Sequence, residues 1–467
     1  MRESVVERAD PADSAAGDGR VFVVALCGGG DRPIAELADR TPFEAAATPH
    51  LDELARTGCS GLLEVIRSDV PPESDSGAMA LLGYDPVRFY TGRGPLEGLG
   101  MDFWDADGFS VAFRINFASW QPDTGRLDRR TSRDLSDDEL EALVTSVRAE
   151  VRLSGDVSVR LTGFGRHRGI LALTSRTVPL SGRVTNTDPG FVARGPFGVP
   201  VADPPSTPLR CRPAPADEVN GTDEVNGTDE VNGPDEVNGP DDGRAAEVTA
   251  RLVNQFVERS AAVLEKHPVN LARRAAGRRP ANLILVRDGG DTLPVLPSFA
   301  AQRGLRLAMY GQVPAERGLA RLIGARFTVA KAGPGQDDPA FYRKLVPALL
   351  DDPADVVFVH LKGPDEPGHD GRPHDKVAAI RDIDADFVGP LRARLGPLDT
   401  LVVTCDHATP CELGIHAPDR VPAVVTGPGV RPDGVTEFGE RAAAGGGLPA
   451  GRASELLPWL LRLRRGS

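Results

Sequence analysis

Three things are scarce in this 467-residue chain: aromatic residues, paired cysteines and long apolar runs. Aromatics make up 5% of it, and no basic stripe carries interleaved aromatics, so a nucleic-acid partner is not expected. No apolar run approaches the roughly 18 residues that cross a bilayer, which removes membrane spanning. The first residues, MRESVVERADPADSAAGDGR, lack the apolar centre of a secretory signal, and the expected compartment is the cytoplasm. Cys27, Cys59, Cys211, Cys405 and Cys411 are odd in number and show no CxxC spacing, so free thiols are expected rather than a disulfide framework. What is plentiful is glycine, 52 residues, and proline, 41 residues, within 40% apolar composition. That combination reads as a soluble α/β protein with many turns, long enough for about two to three domains.

The formal charge of -13 is concentrated in one place. Between Asp217 and Asp242 the unit DEVNG occurs four times and, with Asp241 and Asp242, carries 10 acids, so the rest of the chain holds only -3. A segment of Gly, Pro, Asn and Asp without large apolar residues cannot bury enough surface to offset its ordering entropy, so 217–242 is expected to be disordered.

Continuous β-branched runs mark buried parallel strands. VFVVAL (Val21 to Leu26) runs into Cys27-Gly-Gly-Gly, and ANLILV (from Ala281), DVVFVHL (from Asp355), DTLVVTC (from Asp399) and PAVVTG (from Pro422) look alike. With helical segments between several of them, they predict a parallel sheet covered on both faces. Ligands in such sheets sit beyond the carboxyl ends of the strands, here the loops after Leu26, Leu361 and Thr404.

Two of those loops, KGPDEPGHDG and CDHATPCELGIHAPD, hold Asp365, His369, Asp406, His407 and His416. Imidazole and carboxylate donors together suit zinc, manganese or iron, and two groups of them suggest two ions. Upstream, PPESDSGAMALLGYDP sets Ser74 at the start of an apolar helix, where an N-cap and a phosphate-accepting hydroxyl are both compatible with the pattern.

Taken in order, GGGDRPIAELADRTPFEAAATPHLDELARTG, SDSGAMALLGYDP, YTGRGPLEGLG, VAFRINFA, LDRRTSR, HPVN, PANLIL, KGPDEPGHDG and CDHATPCELGIHAPD resemble the archaeal-type cofactor-independent phosphoglycerate mutases of the alkaline phosphatase superfamily. The resemblance implies an alkaline-phosphatase-like α/β core, a parallel-rich sheet flanked by helices, at 20–107 and 261–467. It also implies a disordered tail at 1–19 and an inserted smaller α+β substrate domain at 108–260 that contains the acidic repeat. It implies a glycolytic isomerase working through a phosphoserine on a small phosphorylated hydroxy acid, with two divalent ions, manganese or zinc and also magnesium. By the same resemblance Ser74 is the nucleophile, Asp365, His369 and His416 hold one ion, and Asp406, His407 and Ser74 hold the other. Lys362 and Arg287 would assist transfer, and Arg93, Arg114, Arg129, Arg130, Arg168 and Asp188 would hold substrate.

Two departures stand out. Where the family has aspartate as a ligand, this chain has Cys27, open to two roles: a thiolate ligand or a small buried residue. The family's TDPH is here TDPG, ending at Gly190. These departures leave two alternatives: a paralogue moving a phosphoryl or phosphonate group on a related substrate, or a catalytically silent binding protein.

Overall fold

The computed structural model describes residues 19–105, 107–129, 131–215, 240–332 and 338–465. The expected disordered tail, up to residue 18, and the acidic repeat through Gly239 lie outside them. The end of that repeat departs from expectation, because Pro240 to Asp242 open the long helix Pro240–Glu265. Proline suits a first helical turn, where its missing N–H has no partner to lose.

The described strands are, in chain order, β1 (Val21–Leu26), β2 (Cys59–Leu63), β3 (Phe109–Gln121), β4 (Arg126–Asp128), β5 (Val157–Phe164), β6 (Arg168–Ser175) and β7 (Phe191–Arg194). They continue with β8 (Phe197–Pro200), β9 (Leu283–Gly290), β10 (Leu307–Gly311), β11 (Arg326–Val329), β12 (Val356–Leu361), β13 (Thr400–Thr404) and β14 (Val421–Thr426). Seven form one sheet in the order β11, β10, β12, β1, β13, β14, β2. From β11 to β13 the pairings are parallel. PAVVTG departs from expectation, since β14 runs antiparallel between β13 and β2.

β1 and β12 are buried along their whole length, which is why both read as unbroken apolar runs. Phe22, Phe358 and Leu401 share one core with residues of the helices Ser74–Leu81, Pro314–Ile323 and Ala453–Arg464. Truncating such a phenylalanine to alanine costs about 3–5 kcal/mol. Leu26 pairs with Leu361 and Ala25 with Thr404, so the three expected loops leave the sheet side by side.

A second sheet is antiparallel, in the order β4, β3, β6, β5, with β9 also pairing with β3. ANLILV was expected among the parallel strands and belongs here instead, as β9. Its apolar side chains Ile284 and Val286 pack in a second core with Phe113, Ile115, Leu143 and Phe256.

Candidate functional site

Ser74 is the first residue of its helix, and the N-cap position belongs to Glu73. The hydroxyl that caps there is Ser76, whose Oγ accepts from Glu73 N at 3.0 Å. Ser74 is thereby left to face the strand ends. The helix comes close to β13 because residue 77 is glycine: a Cβ there would fall 2.9 Å from Asp406 Cβ.

Ser74 Oγ lies 2.9 Å from Lys362 Nζ, 3.4 Å from His407 Nε2 and 3.5 Å from Cys27 Sγ. Lys362 follows β12, Cys27 follows β1 and Asp406 follows β13 by two residues, so adjacent strands deliver these groups to one spot. Lys362 Nζ also contacts Cys27 Sγ at 2.7 Å. Buried Lys376 ties two rim loops together, donating to Asp31 Oδ2 and to the carbonyls of Gly30 and Thr409 at 2.8–3.0 Å.

Asp365, His369 and His416 come together: Asp365 Oδ1 is 3.5 Å from His369 Nε2 and 3.6 Å from His416 Nε2. Carbonyl oxygens only accept, so His369 Nδ1–H donates to Gly414 O and His416 Nδ1–H to Pro72 O, each at 2.9 Å. Thr409 Oγ1 donates to Asp365 Oδ1 at 2.9 Å and accepts from His407 Nδ1–H at 3.1 Å. All three imidazoles thus turn Nε2 toward the cluster, the orientation that backing hydrogen bonds impose on metal-binding histidines. Burial disfavours the imidazolium form, carrying His369 down to about 4 and His407 to about 3, so both rings are neutral donors at pH 7. These donor sets fit divalent cations.

His360 was missed in the sequence. It is fully buried on β12, where Nε2 bonds Asp406 Oδ2 at 2.8 Å and Nδ1 stands in ion-pair contact with Glu316. Its only sequence signal was a histidine inside an apolar strand run.

Opposite this cluster the second sheet presents arginines. Register places Arg114 of β3 across from Arg287 of β9, and Asn116 of β3 across from Arg168 of β6. Like charges directly opposed on a sheet repel, so this face calls for anions. Protein carboxylates supply part of that: Glu97 pairs with Arg93 and Arg114, Asp288 with Arg287, and Asp188 with Arg129. Arg287 also stacks on Phe191, 3.7 Å from the ring centroid. Among the described residues no carboxylate lies within ion-pair distance of Arg168.

Ser74, Lys362, Arg93, Arg114, Arg129, Arg168 and Arg287 all line a cavity of about 460 Å³ with Asp365, His369 and His416. Arg133, His167 and Asn116 line it too and escaped sequence reading. Asp188 stands behind Arg129 rather than in the lining, and Arg130 lies outside the described residues. At Gly190 a Cβ would fall on the present position of the Arg129 guanidinium, so any other residue there requires Arg129 to shift.

A family model described as 2,3-bisphosphoglycerate-independent phosphoglycerate mutase matches residues 55–270. Proteins of that name from Methanopyrus kandleri and Aeropyrum pernix are 37% and 35% identical to this chain. The first match covers 94% of this chain and 94% of the relative, the second 87% and 90%. A solved structure from Pyrococcus horikoshii superposes with a TM-score of 0.69 at 28% identity, over 96% of this chain and 98% of that one. The cofactor-independent phosphoglycerate mutase of Thermoplasma acidophilum gives 0.56 at 28% identity, over 96% and 100%.

Proposed function

The chain belongs to the 2,3-bisphosphoglycerate-independent phosphoglycerate mutases, and from that premise we propose that it interconverts 3-phosphoglycerate and 2-phosphoglycerate, the glycolytic step, through a phosphoserine at Ser74. The observation that carries this reading is the position of Ser74 Oγ, at a helix start and 2.9 Å from Lys362 Nζ, on the wall of a cavity lined by arginines. Ser74 Oγ forms a bond to phosphorus as the bond from phosphorus to the O3 oxygen breaks, and the proton that Oγ gives up is balanced by the one that O3 takes up. Glycerate then turns within the cavity and its O2 hydroxyl receives the group, freeing Ser74. Lys362 offsets negative charge at Oγ and on the transferring group. Arg168, Arg114, Arg287 and Arg129 hold phosphate and carboxylate, keeping glycerate captive between the two transfers.

Two divalent ions are part of the reading. Asp365, His369 and His416 would hold one, and Asp406, His407, Ser74 and Cys27 the other. When bound they supply fixed positive charge that eases ionisation of a hydroxyl and spreads the charge of the phosphoryl group. We assign the α/β unit around the parallel sheet to this chemistry and the antiparallel unit, including β9, to substrate holding. The compartment we propose is the cytoplasm; no described helix is long and apolar enough to cross a membrane. Rapid acid quench of protein turning over 3-phosphoglycerate, followed by peptide mass spectrometry, tests the route. A phosphoryl group on the Ser74 peptide is expected, and its absence during measured turnover would overturn the phosphoserine.

A further inference from the structure

We propose that Cys27 makes the Ser74 side of the cluster a tetrahedral, thiolate-bearing cation site that selects zinc or cobalt over manganese and magnesium. The inference rests on reading the cluster as a metal centre, and it concerns which metal this chain prefers. Cys27 Sγ lies 3.4 Å from Asp406 Oδ2, 3.5 Å from Ser74 Oγ and 3.6 Å from His407 Nε2. His407 Nε2 lies 3.4 Å from Ser74 Oγ and 3.4 Å from Asp406 Oδ2. Around a tetrahedral zinc with bonds of about 2.3 Å to sulfur and about 2.0–2.1 Å to nitrogen or oxygen, sulfur should stand about 3.5–3.6 Å from each other donor. The same geometry sets nitrogen and oxygen about 3.3–3.4 Å apart. Five edges of the four-donor figure match these lengths within about 0.1–0.2 Å.

The donors are held from outside: Asp406 Oδ2 takes a 2.8 Å bond from His360 Nε2 and keeps one lone pair for a cation. Asp406 Oδ1 is used by Gly28 N–H at 3.0 Å, and His407 Nδ1 by Thr409. Cys27, Asp406 and His407 are fully buried, which leaves little space for the water ligands a magnesium or manganese octahedron retains. Lys362 Nζ, 2.7 Å from Cys27 Sγ and 2.9 Å from Ser74 Oγ, competes for both donors and has to move off them when a metal ion binds. The Asp365, His369 and His416 group contains no sulfur, so the two halves of the cluster should differ in preference.

Cobalt titration of the metal-free full-length protein reads this directly, because a thiolate bound to Co²⁺ gives a near-ultraviolet charge-transfer band and a tetrahedral Co²⁺ gives strong visible absorption. One equivalent with both signatures is expected, displaced by zinc and not by equimolar manganese. Cys27→Ser and Cys27→Asp, checked for folding by circular dichroism, should both lose the charge-transfer band. Cys27→Asp should shift the zinc-to-manganese affinity ratio toward manganese by at least about tenfold. A wild-type titration without the band, or an unchanged ratio in Cys27→Asp, would mean that Cys27 is a packing residue outside the metal shell. Phosphoglycerate turnover is scored separately: a thiolate band without turnover overturns the proposed function alone, and turnover without the band overturns this inference alone.

Discussion

The two walls of the cavity are built on opposite plans. On the parallel sheet, donors from neighbouring strand ends converge, and the histidines among them are backed by neutral carbonyls or a threonine, as at His369, His416 and His407. On the antiparallel sheet, most lining arginines are already matched to a carboxylate, as Arg114 is to Glu97 and Arg129 to Asp188. The first wall is a set of convergent carboxylate, imidazole, thiol and hydroxyl groups. The second is a set of cations held in place by buried acids, with Arg168 as the member that no described carboxylate neutralises. The difference teaches that removing a residue from the first wall should cost chemistry, and removing one from the second should cost stability wherever a buried acid loses its partner.

Ser74→Ala sharpens the comparison most. Turnover should fall by at least about a thousandfold, as for other lost nucleophiles, while the melting temperature stays within about 2 °C. Retained turnover in a steady-state assay would remove the first wall from the chemistry.

On the second wall Arg114→Ala and Arg168→Ala should separate. The first takes from the fully buried Glu97 one of its two arginine partners, with Arg93 remaining, and should cost about 1–3 kcal/mol in denaturant unfolding. Arg168→Ala should leave stability nearly unchanged and lower kcat/KM by about 10²-fold, the loss of a charge-assisted contact or two. Equal stability losses for the two would break the distinction.

The first wall also predicts a pH response of the metal-free protein. His369 and His407 have folded pKa values of about 4 and about 3, below an unfolded value near 6.5, so the unfolded state binds more protons as pH falls. Their contribution to stability is complete above about pH 6.5 and is lost as pH drops toward 4. Thermal melts should therefore shift downward between pH 7 and pH 5, by less in His407→Asn; an identical shift in that variant would contradict the assignment.

The smallest effect is expected from the repeat. Deleting Asp217 to Gly239, and keeping Pro240 where the helix begins, should move the melting temperature by less than about 2 °C and leave kcat unchanged. A larger drop in calorimetry would show that the repeat packs on the protein.

The same contrast explains what could be read from the sequence. Asp365 with His369, and Asp406, His407 and His416, fall in two short windows that follow strand-like runs, so their convergence required only parallel strands of matched length. Ser74 was ambiguous until Glu73 and Ser76 were seen to cap the helix in its place. β9 was assigned to the wrong sheet because a strand covered on both faces gives the same apolar run in either sheet. Arg133 and His167 carry no local signal, since what brings them to the cavity is the register of β3, β4 and β6. His360 was hidden by its apolar neighbours, although a histidine buried in a strand needs partners, and Asp406 and Glu316 are those partners.

The most direct test of the whole account is phosphorus NMR of 3-phosphoglycerate incubated with the metal-loaded protein and no added 2,3-bisphosphoglycerate. The account predicts that the 2-phosphoglycerate resonance grows to its equilibrium share without accumulation of inorganic phosphate. An unchanged 3-phosphoglycerate signal, or release of free phosphate in its place, would contradict it.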